Sequence, residues 1–137
     1  MVTIAKPLVI VESPFAGDIA RNIHFARLCV RDSLMRGEAP FASHLLYTQP
    51  GILRDEVHEE RELGMGTGWN VTARADLVAI YVDLGWSSGM KRGKEAAVNL
   101  GLPMEERQLM PPGQFIEHYE RLFHGADFST AMNFPNV

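Results

Sequence analysis

Glu12 stands directly after the apolar run Leu8-Val-Ile-Val11, where a solvated charge is unusual. A carboxyl at the end of a buried strand is either desolvated, with a raised pKa suited to proton transfer, or held ionised as a nucleophile. The plainer alternative is an ion pair with Arg21 or Arg27 that only fixes the next loop. Asp83 ends a second apolar run, Leu77 to Val82, and is expected to point into the same cleft; Asp76 precedes that run and is read as orienting the helix behind it. After Asp83, Gly85-Trp-Ser-Ser-Gly-Met90 opens a helical pattern. The free N–H groups and positive dipole end of a helix start at Ser87, Ser88, Gly89 and Met90 suit a phosphate or a carboxylate. His44 and Tyr47 follow a third, short extended segment. His44 is read as a hydrogen-bonded structural residue or as a site residue, and Tyr47 as a stacking or hydroxyl-donating group or as a core residue. Asp18 is explained by its place before a helical run, as an N-cap.

Other chemistries find less support. His58 and Glu62 lie four apart on one helical face, but the run Arg54-Asp-Glu-Val-His-Glu-Glu-Arg-Glu62 reads as a charged helix surface with i,i+4 pairs. No second His or Cys completes a metal site, and nothing calls for a cofactor. No Gly-x-Gly-x-x-Gly follows the first strand, and no Gly-x-x-x-x-Gly-Lys-Ser/Thr is present.

The elements that must position these residues follow from the apolar patterning. The runs 8–11 and 77–82 are strands buried on both faces. Ile19 to Met35 is a helix with an expected core stripe at Ile19, Ile23, Ala26, Val30 and Leu34, stopped by Gly37. Ala39 to Ser43 is extended, Arg54 to Ala73 a helix broken near Gly64 to Gly68, and Met90 to Leu100 a helix. Pro103 to Leu109 is read as a strand and Pro112 to Phe123 as a helix. Alternating strands and helices predict an α/β three-layer fold of flavodoxin or Rossmann type, with a mainly parallel sheet and ligands beyond the carboxyl ends of its strands.

At 137 residues one domain is expected, over 1–125, with a C-terminal tail at 126–137. The 46% hydrophobic and 22% charged composition is that of an ordinary soluble globular chain. A formal charge of -4 argues against a nucleic-acid polymer as partner. The single cysteine, Cys29, falls in a helical apolar pattern and is read as a buried thiol in a reducing compartment. Residues 1 to 6 lack the apolar core of a signal peptide and no run reaches transmembrane length, so a cytoplasmic location and no membrane partner are expected.

Several motifs occur together in one order: Glu12-Ser-Pro-Phe-Ala-Gly-Asp18 with Asn22, Pro40-Phe-Ala-Ser-His-Leu-Leu-Tyr47, Glu60-Arg-Glu-Leu-Gly64, Ala75-Asp76, Ser88-Gly-Met90 and Gly101-Leu-Pro103. That order resembles small, mostly phage and bacterial proteins related to nucleoside 2-deoxyribosyltransferases, over roughly Leu8 to Leu109. The resemblance implies a flavodoxin-like domain, in the host cytoplasm if phage-encoded, that holds a nucleoside or nucleotide at the strand ends. Better-studied relatives cleave or exchange the N-glycosidic bond, with a Glu attacking the anomeric carbon and an Asp or Tyr assisting. The catalytic candidates are Glu12, from its place at the strand end, with Asp83 and Tyr47 for the assisting Asp or Tyr. Ser13, Pro14, Gly17, Asp18, Asn22 and His44, with Ser87, Ser88, Gly89 and Met90, become the binding candidates.

One departure stands out. Relatives with glycosidase activity carry the nucleophilic Glu four residues after the Gly of the Ser-Gly-Met turn, where this chain has Gly93. Glu95 lies two residues on, about 200° around the helix, and cannot replace it. The carboxylate therefore comes from elsewhere, with Glu12 the leading candidate, or the protein binds nucleotides without cleaving them. Gly93 is also expected to leave room for a larger ligand. A homodimer or larger homo-oligomer is expected, from the resemblance and from a rim patch of Trp86, Met90, Phe115, Phe123 and Phe128.

Overall fold

Residues buried on both sides of a strand leave it no solvent face, and the two central strands here have none. The computed structural model describes residues 5–123. Strands β1 (Leu8–Glu12), β2 (Ala39–Phe41), β3 (Leu77–Tyr81) and β4 (Met104–Arg107) form one four-stranded sheet in the order β2-β1-β3-β4. Every neighbouring pair is parallel, with Glu12 opposite Ile80 and Tyr81 opposite Arg107. Helices α1 (Ile19–Met35), α2 (Ser43–Leu46), α3 (His58–Thr72), α4 (Ser88–Asn99) and α5 (Gln114–Phe123) complete the chain. Val9, Val11, Ala79 and Tyr81 pack with Phe25, Leu28 and Cys29 of α1 and Phe115 of α5. Ile10, Val78 and Ile80 pack on the other face with Met90 and Ala97 of α4 and with Ala75 and Val71. The expected α/β three-layer architecture is therefore present, and its strand order matches the start of the flavodoxin order.

Three local expectations are corrected. The apolar stripe of α1 is rotated: Ile19 and Leu34 are 47% and 53% exposed, while Asn22, His24, Phe25, Ala26, Leu28, Cys29 and Ser33 are buried. Two of those are polar residues that serve loops, and His24 and Leu28 face α5, with the His24 ring 5.8 Å from that of His118. Helix α3 is not broken at its glycines. A Cβ at Gly68 would lie 2.7 Å from Ser43 Oγ, and one at Gly64 would lie 3.1 Å from Leu53 Cδ1. The glycines thus mark where α2 and the loop after it press against α3. The third extended segment stops at Phe41, because Ser43 already begins α2.

A buried polar network joins the two edges of the sheet. Arg107 of β4 grips Glu38, just before β2, through two bonds of 2.8 and 2.7 Å, and also donates to the Tyr81 hydroxyl. Ser33 donates to Glu38, and Tyr81 to Asp32. Paired this way, Glu38 is held below the usual carboxylate range, first by its bond to Arg107.

The expected rim patch is not formed, because Met90 and Phe115 are each 1% exposed inside the chain's own core. Trp86 packs against the core from its edge, with Lys94 over its ring. The side chain of Phe123, Phe128 and the expected tail lie outside the described residues. No helix among the described residues is long and apolar enough to cross a membrane.

Candidate functional site

The chain leaves β1 toward β2 and leaves β3 toward β4, so the connections diverge at the carboxyl ends of β1 and β3. A crevice there is the expected ligand site of such a sheet. It is a narrow cleft enclosing about 80 Å³. Glu12, Ser13, Phe15 and Ala16 line it from the β1 side, and Ser43 and His44 from α2. Ser87, Ser88 and Gly89 line it from the start of α4. One face of α3 closes the remaining side with Arg61, Met65, Gly68, Trp69 and Thr72. A broader open groove of about 960 Å³ adjoins the cleft and shares Phe15, Ala16, Asp55 and Arg61 with it. Among the groove's charged groups, Arg54 and Glu60 are paired at 2.7 Å, whereas the smaller cleft holds the unpaired Glu12 carboxyl.

Glu12 is the central group. It keeps a narrow opening to solvent, yet protein surrounds its carboxyl, and no ion pair or hydrogen bond among the described residues reaches it. Arg21 and Arg27 do not pair with it. Desolvation pushes its pKa up to about 8, so the carboxyl holds its proton at neutral pH. Its position is set by Gly93. A Cβ at that residue would lie 2.5 Å from Oε1, 2.7 Å from Cδ and 2.9 Å from Oε2 of Glu12. The space freed on α4 is filled by the Glu12 carboxyl, which corrects the expectation of a roomier cleft. Glu95 is exposed, whereas Gly93 is buried.

Beside Glu12, Ser13 Oγ and His44 Nε2 are 2.6 Å apart. Desolvation lowers the His44 pKa to about 4, so the ring is neutral and keeps a lone pair. At α4, the Ser87 hydroxyl accepts the N–H of Met90 at 3.1 Å. No acceptor is found among the described residues for the N–H groups of Ser88 and Gly89, which leaves these two donors at the cleft. Arg61 brings a guanidinium to the same place: its Nη2 is 3.9 Å from where a Gly89 Cβ would be, and its Nε is 3.9 Å from Asp55.

The remaining expected site residues fall into three groups. Tyr47 lines an adjoining small cavity with Ser43, His44 and Met65, its ring 6.1 Å from Phe41, and does not line the Glu12 cleft. Gly17 borders the open groove with a φ of 101°, which glycine adopts without strain. The others build the frame. Asp18 caps α1 by accepting from Arg21 N–H at 3.3 Å. Asn22 donates to the carbonyls of Phe15 and Ala16 at 2.9 and 3.1 Å, which holds the loop after β1. Pro14 is buried, and Met90 points into the core. Asp83 does not point into the cleft. Its carboxylate accepts the N–H groups of Leu109 and Met110 at 3.0 Å, on the α1 and α5 side of the sheet. Asp76 similarly accepts Leu8 N–H at 2.8 Å and anchors the start of β1.

The α3 wall was missed by the sequence reading. Arg61, Met65, Gly68, Trp69 and Thr72 recur at spacings of four, three, one and three, which is a helical face. Glu62 belongs to a clamp between α3 and α4: Arg92 holds both its oxygens at 2.8 and 3.0 Å and lies over Trp69. No group of three or more His, Cys, Asp or Glu among the described residues is placed to hold a metal ion.

Residues 7–107 match the model of a family described as a domain of unknown function, DUF7768. No curated protein and no solved structure matches the chain. The matched span runs from the residue before β1 to the last residue of β4 and takes in every residue that lines the cleft. The chain belongs to the DUF7768 family.

Proposed function

We propose that this chain cleaves or transfers at the N-glycosidic bond of a deoxynucleoside, a nucleoside or its monophosphate, with Glu12 supplying the carboxyl. One observation carries the reading. The Glu12 carboxyl lies where a side chain on residue 93 would begin, at the carboxyl edge of a doubly wound sheet. A buried, unpaired carboxyl is costly to keep, and such groups concentrate at functional sites. The resemblance to nucleoside 2-deoxyribosyltransferases calls for a carboxylate on α4. In this chain α4 has Gly93 at that position, and the carboxyl beside it is that of Glu12, from β1, which supports the reading. The N–H groups of Ser88 and Gly89, with Arg61, suit the anionic end of a nucleotide.

Base release from deoxynucleosides, ribonucleosides and their 5′-monophosphates tests the proposal. The wild-type chain releases base, Glu12→Gln abolishes release while ligand-induced thermal stabilisation persists, and Glu95→Gln changes little. Unchanged release by Glu12→Gln would overturn the assignment. Stabilisation by nucleotides without any release would favour the second reading, a nucleotide-binding protein that does no chemistry on the same fold.

A further inference from the structure

The cleft holds two groups whose environments drive them in opposite directions. The Glu12 carboxyl is enclosed without a partner against Gly93, and the neutral ring of His44 is joined to Ser13 at 2.6 Å. Ser13 follows Glu12 in the chain, and all three line the same narrow space. We propose that Glu12 is the proton donor of this cleft and that His44, reached through Ser13, is its proton acceptor, so that water attacks the sugar directly and no sugar–enzyme bond forms. The inference rests on the reading of the cleft as a site of N-glycosidic cleavage, and it replaces a carboxylate nucleophile with an acid–base pair.

The step balances. The bond from C1′ to the base nitrogen breaks, its electron pair stays on the nitrogen, and the Glu12 proton satisfies the leaving base. A water oxygen bonds to C1′ and gives its proton to the Ser13 Oγ, whose own proton passes to Nε2 of His44. Base and free sugar leave, with Glu12 ionised and His44 protonated. Return of the proton from His44 to Glu12 restores the resting pair, because burial favours the neutral form of each group. Two other charged groups face the cleft, Asp55 and Arg61, and they stand 3.9 Å from each other. No cation or hydrogen-bond donor among the described residues is bonded to the Glu12 carboxyl, as a nucleophile held ionised at rest would require.

Two measurements on the full chain decide the matter. Carbon-13 spectra of labelled Glu12 and nitrogen-15 spectra of the His44 ring, taken from pH 4 to 9, read the protonation states without any ligand. The expected result is a protonated Glu12 and a neutral His44 at pH 7, with the His44 midpoint displaced in Ser13→Ala. An ionised Glu12 or a charged His44 at pH 7 overturns the inference. The second measurement uses 2′-deoxynucleoside 5′-monophosphates with methanol as a competing acceptor. The expected methyl glycoside has an inverted anomeric centre, and His44→Asn lowers kcat by about 10²–10⁴-fold with KM and ligand-induced stabilisation kept. Ser13→Ala serves as a second, milder variant, lowering kcat and moving the acidic limb of the pH profile. A retained anomeric configuration, or a sugar adduct on Glu12, overturns the acid–base pair while leaving N-glycosidic cleavage intact. Failure of every deoxynucleotide to release base refutes the cleavage reading, and this inference with it.

Discussion

Gly93→Ala is the smallest change that tests how the site is built. The added methyl would lie 2.5 Å from Glu12 Oε1 and 2.7 Å from Cδ, well inside contact distance, so the carboxyl must move by most of an ångström. Overpacking of this kind costs about 1–3 kcal/mol. Replacing a helical glycine by alanine returns about 1 kcal/mol through the backbone, so the net expectation is a loss of about 1 kcal/mol. In a Glu12→Ala background the obstruction is gone, and the same substitution should stabilise by about 1 kcal/mol through the helix alone. Urea denaturation of the wild type, both single variants and the double variant gives the coupling directly, with an expected value of about 1–3 kcal/mol. Additive effects within about 0.5 kcal/mol would refute the claim that Glu12 and Gly93 share one space.

Further outcomes follow from the same geometry. Between pH 6.5 and 8 the folded chain keeps a Glu12 proton that the unfolded chain, with its ordinary value of 4.5, has already released. Stability therefore falls as pH rises through that window, by about 1.5–2 kcal/mol, and Glu12→Gln should flatten the slope in urea titrations. His24, His44 and His118, all lowered by burial, act in the opposite sense and offset part of the fall near pH 6.5, so the Glu12 contribution is read as the difference in slope between the wild type and Glu12→Gln. Asp83→Ala strands two backbone N–H groups and should cost about 2–4 kcal/mol in denaturant unfolding, while nucleotide binding by the folded fraction is unchanged. Light scattering over a dilution series tests the oligomer that the resemblance implies: a dimer or larger mass is expected, and a stable monomer at micromolar concentration refutes it.

Strand positions and the helix from Ile19 to Met35 were legible because continuous apolar runs and a cap at Asp18 are local signals. The face that α1 buries was not legible. Asn22 and Ser33 are hidden for their hydrogen bonds to a loop and to Glu38, and a hydrophobicity pattern cannot register that. The glycines of α3 read as breaks because local propensity sees only the missing side chain. The role of Gly64 and Gly68 is spatial, the approach of Leu53 and Ser43 from elsewhere in the chain. Glu12 was legible as a site candidate because a charge at the end of an apolar strand violates the local rule, and such violations gather at functional sites. Asp83 satisfied the same rule for another reason. Its partners are the N–H groups of residues 109 and 110, whose return to the end of β3 only the tertiary fold reveals.

The grip of Arg107 on Glu38 spans 69 positions of the chain and imposes an order of assembly. As the chain emerges during synthesis, β1, α1 and β2 are complete long before residue 107 exists. Until then Glu38 lacks its two-bond partner, and among the described residues only Arg36, paired with Asp32 at 2.8 Å, brings another positive charge to the corner holding Asp32, Ser33 and Glu38. That corner is therefore expected to reach its final packing only when β4 docks. The last strand of the sheet closes the fold by bringing a charge to its first crossover. A chain cut before Arg107 would leave β1, β2 and β3 present yet the domain unfinished.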